Sequence, residues 1–287
     1  MTAQAALLPD RRLHLQHGPI DCLCRAWGSP DDVARAYRQA AEAFPAILPA
    51  LVDELPALRA PLPSPAPRGP VARAMHAAVS PFSERFITPM AAVAGAVADH
   101  VLAAMRDGTA LDRAFVNDGG DIAFHLAPGQ NLRCGMVADL AAPGLDAVAV
   151  LHAAQPARGI ATSGRACKGR GGRSFSLGIA DAVTVLAATA ARADAAATVI
   201  GNAVDLPGHP AIARLPARDI DPDSDLGERL VTWDVAPLSQ PEIDAALDAG
   251  AAVAETLRRA GLIAGAALAL GRTLRLVGAP SFAGIEA

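Results

Sequence analysis

The hydrophobic pattern of this sequence changes at Gly108, and that change limits the possible folds more than any other feature. Before Gly108, apolar residues recur every three or four positions in segments that begin at Ser29 and at Thr88, a spacing typical of amphipathic helices. After Gly108, short apolar runs bounded by Gly, Pro and Asn indicate strands. Long helices combined with grouped short strands are typical of folds in which sheets and helices pack in layers.

The order of these elements favours an α+β fold with mixed or antiparallel sheets packed with helices. Strand pairs are predicted at both ends, at residues 13–27 and 262–277, with further strands at 114–117, 121–126, 132–139, 147–152, 159–163, 182–186 and 230–235. Helices are predicted from Ser29, at 71–79, from Thr88 to before Gly108, at 191–203, and from Ser239 to about 260. Residues 56–70 are predicted as an extended Pro-rich connection, and 206–225 as a loop. We expect one domain, with lobes at about 1–108 and about 109–287.

Composition excludes several classes of protein. Hydrophobic residues make up 52% of the chain but only seven Phe, two Trp and one Tyr are present, so Ala, Val and Leu have to fill the core. A net charge of −4 argues against nucleic-acid binding, which needs a basic surface. The longest uncharged run, residues 86–98, is shorter than the roughly 18 residues that cross a bilayer, and the N-terminus lacks a secretion-signal pattern. We therefore expect a cytoplasmic protein that binds neither nucleic acid nor membrane.

The first candidate binding segment is Asn117-Asp118-Gly119-Gly120-Asp121, between two predicted strands. Paired glycines expose backbone N–H groups and allow a ligand to approach the chain, while Asn and Asp side chains supply polar contacts. All five residues are therefore candidates for binding a ligand. The alternative is an ordinary hairpin turn of the Asx-Gly-Gly kind.

The second candidate segment follows the strand predicted at 159–163. The sequence Thr162-Ser163-Gly164 is followed within nine residues by four cations, Arg165, Lys168, Arg170 and Arg173, although the chain as a whole is acidic. Hydroxyl groups and backbone amides at a strand end bind phosphate, and nearby cations neutralise its charge. Arg165 and Lys168 are the cations predicted to contact a bound phosphate. The alternative is a flexible, solvated loop.

The third candidate segment is the helix predicted at 191–203. Asp194 and Thr198 are four residues apart, so they share one face of that helix. A carboxylate and a hydroxyl beside a phosphate suit magnesium, which takes few protein oxygens and completes its shell with water and phosphate. The alternative is an acid that favours the helix dipole near the N-terminus and a packed threonine.

Taken together and in this order, the three segments resemble the ApbE family of FAD:protein FMN transferases. The resemblance covers about residues 110–205. It rests on Asn117 with Gly119-Gly120-Asp121, on Ala161-Thr162-Ser163-Gly164, and on Val183-Thr184-Val185 followed by Ala193-Asp194 and Ala197-Thr198. Residues 89–96 and 176–183 are more similar to an uncharacterised branch of these proteins. The similarity to that branch extends to the N-terminal His17-Gly18-Pro19 strand pair.

The resemblance implies a layered ApbE-like fold and a specific chemistry. Proteins of this family bind FAD and, with magnesium, cleave its diphosphate and attach FMN to a threonine or serine of an acceptor protein. Carried over, Gly119, Gly120, Asp121 and the Thr162-Ser163-Gly164 segment surround the flavin nucleotide. Asp194 and Thr198 hold the metal. The roles of Asn117, Asp118, Arg165 and Lys168 come from the residue chemistry above and not from the family.

One departure from the family pattern leaves the catalytic residue unassigned. The transferases carry a His-Ile-Ile-Asp-Pro-like segment after Thr-Ser-Gly, whereas residues 173–181 contain no histidine. Three hypotheses therefore stay open: a magnesium-dependent FMN transferase, a flavin-nucleotide binding protein without transfer, and a structural or assembly protein on the same fold. We also expect a homodimer, because the helix at 90–105 has a face of small residues that permits close packing.

Overall fold

The computed structural model describes residues 2–136, 147–164, 175–278 and 282–284. Its helices are α1 (Pro30–Ala43), α2 (Ile47–Asp53), α3 (Leu55–Leu58), α4 (Pro70–Val79), α5 (Val93–Arg106), α6 (Ala190–Ala203), α7 (Ala217–Ile220) and α8 (Gln240–Arg259). Its strands are β1 (Gln4–Leu7), β2 (Leu13–His17), β3 (Ile20–Gly28), β4 (Leu111–Asp118), β5 (Asp121–Leu126), β6 (Asn131–Met136), β7 (Ala147–His152), β8 (Gly159–Ser163), β9 (Ala182–Ala187), β10 (Ile212–Pro216), β11 (Leu230–Val235), β12 (Gly265–Leu270), β13 (Thr273–Gly278) and β14 (Phe282–Gly284).

The described residues form two compact units, each built from several segments of the chain. The first comprises Met1–Leu132, Leu151–Ala161 and Ala187–Ala195, and the second Arg133–Val150, Thr162–Leu186 and Ala196–Ala287. These boundaries differ from the predicted lobes of about 1–108 and about 109–287, because β3 pairs along its length with β4. The single domain with two lobes stays a prediction.

The first unit contains an antiparallel sheet in the order β1-β2-β3-β4-β5, and β8 pairs with β5 through Ile122 and Ile160. Alternate residues of β2 and β3 are buried, as expected for a sheet with one covered face. Helix α1 packs on β3, and α5 packs on β4 and β5. Helix α1 begins where predicted, since the hydroxyl of Ser29 accepts a hydrogen bond from the N–H of Asp32 at 3.1 Å.

The second unit contains the antiparallel strands β9, β12 and β13, with β12 in the middle. Every residue of β9 and β12 is buried, and α8 packs on β12 and β13. A capping box between Ser239 and Glu242 starts α8, as the sequence indicates. The short strands β10 and β11 form a separate antiparallel pair.

The α+β fold class with antiparallel sheets is confirmed, whereas three local predictions are wrong. Residues 206–225 were expected to form a loop but contain β10 and α7. Helix α5 begins at Val93 and not at Thr88, because a short 3-10 turn, Pro89–Ala92, precedes it. Pro56 lies inside α3, so the Pro-rich connection starts later than expected. The predicted strand at 132–139 begins at Asn131, and its last three residues lie outside the described part of the chain.

None of the helices in the described ranges is both long and apolar enough to span a membrane.

Candidate functional site

The first turn of α6 lies against the backbone of two other elements of the first unit. A Cβ atom at Gly95 of α5 would be 2.4 Å from the carbonyl carbon and oxygen of Ala190. A Cβ atom at Gly159, the first residue of β8, would be 2.2 Å from the amide nitrogen of Ala190. Real Cβ contacts are much longer than these distances, so both positions require glycine. The backbone around Ala190 is therefore held tightly from two sides.

Carboxylates of α5 and α6 also bind the backbone of the opposite helix. Asp99 accepts hydrogen bonds from the N–H groups of Ala190 at 3.0 Å and Ala191 at 2.9 Å, while Asp194 accepts one from Gly95 at 3.2 Å. Burial raises the pKa of Asp99 to about 6, and its two backbone bonds act in the opposite direction. The small-residue face of α5 is thus approached at Gly95 by this chain's own α6. Because α6 already occupies this part of the face, the face no longer supports dimerisation at Gly95, and the homodimer stays a prediction.

Helix α6 exposes few of its residues. From Ala190 to Gly201, only Arg192, Asp194 and Thr198 are partly accessible, and all other residues are buried. Asp194 and Thr198 lie four residues apart, so they share one face of this helix as the sequence predicts. Their partial exposure on an otherwise buried, Ala-rich helix is unusual and leaves both side chains accessible to a ligand. No cluster of three or more His, Cys, Asp or Glu side chains suited to a metal occurs within the described residues.

The segment from Thr162 to Gly164 lies against the second half of α6, within the second unit. The hydroxyl of Thr162 is 2.9 Å from that of Thr184 on β9. The hydroxyl oxygen of Ser163 lies 3.9 Å from the position that a Cβ atom of Gly201 would take. Gly201 comes three residues after Thr198 on the helix, so Ser163 lies near the face that carries Thr198. The structure therefore brings this predicted nucleotide-binding segment close to one of the predicted metal ligands.

The geometry of Gly164 fits this close arrangement. Its φ of 137° lies in the region that favours glycine, and a Cβ atom there would be 2.4 Å from the carbonyl oxygen of Asp181. The next residues of the predicted phosphate loop, Arg165 and Lys168, lie outside the described part of the chain. Their predicted contact with phosphate stays a prediction.

The turn between β4 and β5, in the first unit, is stabilised by two glycines and by the side chain of Asn117. Gly119 and Gly120 both have positive φ, 62° and 110°, and the side-chain oxygen of Asn117 accepts the N–H of Gly120 at 2.8 Å. Asp118 and Asp121 are paired across the two strands and are only 7% and 9% exposed. The Asx-Gly-Gly hairpin is thus the local structure of this segment. Open space beside both glycines leaves their backbone accessible to a ligand.

Burial changes the acidity of Asp118 in this hairpin. Its pKa is raised to about 7, chiefly because desolvation disfavours the charged carboxylate. The backbone N–H of Asp21, at 3.3 Å, acts against this rise, whereas the negative charge of Asp21 adds to it. Asp118 is therefore poorly suited to act as a permanently charged ligand, and its predicted contact with a nucleotide stays a prediction.

The segment where the family histidine is missing is bound to the end of α6. The side-chain oxygen of Asn202 accepts the N–H of Leu177 at 3.0 Å and lies 3.4 Å from the hydroxyl of the buried Ser176. A Cβ atom at Gly178 would be 2.1 Å from the carbonyl oxygen of Gly201. These polar groups hold residues 176–178 against the end of α6. In residues 175–181, only Asp181 has a side chain suited to general acid-base catalysis at neutral pH, and its carboxylate accepts the N–H of Gly271 at 2.6 Å.

Sequence reasoning missed Asp99 and Asn202, which fix the two ends of α6. Asp99 follows Gly95 by four residues on α5, and this spacing was the available signal, since the two share a face with the small residues already singled out. Asn202 gave no such signal, because its partner Leu177 is 25 residues away in sequence.

A family model described as "AbpE bacteria" matches residues 5–276 of the chain. Curated relatives include a UPF0280 protein of Methanoregula boonei, 34% identical over 165 residues that cover 56% of this chain and 65% of that protein. UPF0280 proteins of Methanothrix thermoacetophila and Methanosphaerula palustris are 39% and 42% identical, over 41% of this chain and 46% and 47% of theirs. The chain thus spans about half to two thirds of the length of these relatives.

Among solved structures, the chain is similar to the apo form of the flavinyl transferase ApbE of Pseudomonas stutzeri, with 12% identity and a TM-score of 0.42 over 98% of this chain and 96% of that one. The family model covers nearly the whole chain, and it agrees with the resemblance drawn from the three sequence segments. The chain therefore belongs to the "AbpE bacteria" family and is an ApbE-like protein.

Proposed function

We propose that this protein binds a flavin nucleotide, FAD, together with magnesium at the partly accessible face of α6 that carries Asp194 and Thr198. The observation that carries the proposal is the pair Asp194 and Thr198, accessible on one face of a helix whose neighbouring residues are buried. Ser163, from the segment predicted to bind the nucleotide, lies near the same face at Gly201. Membership in the ApbE-like family supports a flavin-related function for this arrangement.

The donor chemistry of this face fits magnesium. Asp194 and Thr198 offer a carboxylate and a hydroxyl, both hard oxygen donors, and magnesium commonly takes only one or two protein ligands besides water and phosphate. When bound, the cation neutralises the charge of a diphosphate and of its leaving group. The chain itself holds the carboxylate of Asp194 in place through the N–H of Gly95.

The remaining predicted contacts complete the proposal. The backbone of Gly119 and Gly120, with Asp121, and the Thr162-Ser163-Gly164 segment would bind the nucleotide, and Arg165 and Lys168 its phosphates. Transfer of FMN to an acceptor protein would be a further step. The absence of histidine in residues 175–181, where Asn202 fastens the backbone, favours nucleotide binding without transfer as the second candidate. Cytoplasmic location and the acceptor protein stay predictions.

Calorimetric titration with FAD, in magnesium or in EDTA, tests the proposal. We expect the unmodified protein to bind FAD at least about tenfold more tightly with magnesium, since each tenfold step is only about 1.4 kcal/mol. Asp194→Ala should remove this difference. Asp244→Ala is the matched control, because Asp244 is another partly exposed helical acid, on α8. It should leave the difference unchanged.

Two outcomes contradict separate parts of the proposal. Equal FAD affinity in magnesium and in EDTA would remove the metal assignment, and no FAD binding in either condition would remove the flavin assignment. If binding is magnesium-dependent, chromatographic detection of AMP after incubation with FAD separates transfer from binding alone. Bound FAD without released AMP, in the presence of candidate acceptor proteins, would favour the second candidate.

A further inference from the structure

Helices α5 and α6 carry the same arrangement of residues at their N-terminal ends. In each helix a small residue is followed four positions later by aspartate: Gly95 and Asp99 on α5, Ala190 and Asp194 on α6. Each aspartate accepts the backbone N–H of the small residue on the other helix, at 3.0 Å for Asp99 and 3.2 Å for Asp194. The two bonds are therefore reciprocal, and each depends on the position of the opposite helix.

The bonds made by Asp99 fix the start of α6. One carboxylate oxygen accepts the N–H of Ala190, and the other accepts that of Ala191. Hydrogen bonds to a carboxylate are stronger than those between neutral groups, and they are stronger again away from water. The contact of Ala190 with Gly95 leaves no room for a shift of the first turn toward α5. Asp99 and Gly95 thus define one position for that turn.

Asp194 lies one helical turn after Ala190, so its position follows from the first turn of α6. The N–H of Gly95 then orients one oxygen of its carboxylate. We propose that Asp99 is a positioning residue for the metal-binding carboxylate of Asp194, acting through the first turn of α6. This inference rests on the proposed function for the role of Asp194, and its structural part can be measured without metal or nucleotide.

Asp99→Asn is the test variant, and Glu54→Gln is its matched control. Asp99→Asn keeps one acceptor oxygen and replaces the other by an N–H donor, which cannot accept the second backbone N–H. Glu54 makes the same kind of contact in the same unit, since it accepts the N–H groups of Arg68 and Gly69, both at 2.6 Å, just before α4. Glu54→Gln therefore removes a comparable bond at the start of a different helix, α4.

The first measurement is amide hydrogen exchange of Gly95, followed by NMR in the metal-free protein. In Asp99→Asn we expect this exchange to become about tenfold faster, because the Gly95–Asp194 bond opens more often when α6 is loosened. In Glu54→Gln it should stay within about twofold of the unmodified protein. An unchanged rate in Asp99→Asn would overturn the inference, whatever the metal titration gives.

The second measurement is the ratio of FAD affinities in magnesium and in EDTA. Asp99→Asn should lower this ratio about tenfold, while its affinity for FAD in EDTA stays within about twofold and Glu54→Gln keeps both values. Faster exchange of Gly95 with an unchanged ratio would overturn the positioning role. If the unmodified protein itself shows no magnesium effect, the proposed metal site fails and the positioning role fails with it. The exchange data would then still decide whether Asp99 and Asp194 are coupled.

A folding control keeps the test decisive. Circular dichroism and a urea titration should show that Asp99→Asn is folded under the conditions of both measurements. Should it not fold, Asp99→Ser replaces it, since the hydroxyl retains one hydrogen-bond acceptor in a smaller side chain. The same two outcomes then support or overturn the inference.

Discussion

Replacing Gly95 by alanine should destabilise the protein strongly. The new Cβ atom would be 2.4 Å from the carbonyl group of Ala190 and 2.6 Å from the amide nitrogen of Ala191, and backbone atoms cannot rotate away as a side chain does. Overpacking of this kind costs about 1–3 kcal/mol. Loss of the hydrogen bond from Gly95 to Asp194 costs about 1.5–3 kcal/mol more if it breaks. The better helix propensity of alanine offsets about 1 kcal/mol of this loss. With that bond broken, we expect a net loss of about 1.5–5 kcal/mol.

Urea unfolding followed by circular dichroism measures this loss. With an m value of about 3 kcal/mol/M, the expected destabilisation lowers the urea midpoint by about 0.5–1.7 M. Gly201→Ala is the matched control within α6, because its nearest neighbours lie at 3.9 Å, an ordinary contact distance. That substitution should raise stability by up to about 1 kcal/mol through helix propensity. A Gly95→Ala midpoint equal to or above that of the unmodified protein would refute the close approach of α5 and α6.

Two further predictions concern buried polar groups. In the folded protein the pKa of Asp118 is about 7, above its ordinary value of 3.8, so the folded state keeps this proton to higher pH than the unfolded state does. The free energy of unfolding therefore falls by up to about 4 kcal/mol as the pH rises from about 4 to above 7. Asp118→Asn should therefore be more stable than the unmodified protein at about pH 8, but not at about pH 4, in urea titrations at both values. Asn202→Ala should lower the free energy of unfolding by about 1–3 kcal/mol, because the N–H of Leu177 loses its acceptor. An unchanged urea midpoint would contradict the presence of this hydrogen bond.

Local sequence signals placed most helices and strands correctly because their causes are local. Ser29 starts α1 through a bond to a residue three positions away, and Ser239 starts α8 through a capping box with Glu242. The loop predicted at 206–225 was wrong for the opposite reason. Strand β10 is held by pairing with β11, and its Pro- and Asp-rich surroundings resemble a loop until that partner is known.

The candidate site could be predicted in part, because spacing on one helix is a local property. The shared face of Asp194 and Thr198 follows from four-residue spacing and is present in α6. The surroundings of α6 could not be derived in that way. The small-residue face of α5, which contains Gly95, predicted that another element packs close to it, and a second copy of the chain was the expected partner. In the structure, Ala190 of the same chain lies there. Asp99 shares a face of α5 with Gly95, but its backbone partners are about 90 residues distant, so the spacing alone did not identify them.

The bonds at the start of α6 also bear on the proposed binding of a diphosphate near Asp194. Helix N-termini often bind phosphate through their first N–H groups. In α6 these groups already have acceptors: Asp99 accepts those of Ala190 and Ala191, and Thr189 accepts those of Arg192 and Ala193. A phosphate at that helix end would have to displace these bonds and would face the carboxylates of Asp99 and Asp194. Under the proposal, a cation between the diphosphate of FAD and these carboxylates would offset their repulsion, which is why we expect tighter binding with magnesium than in EDTA.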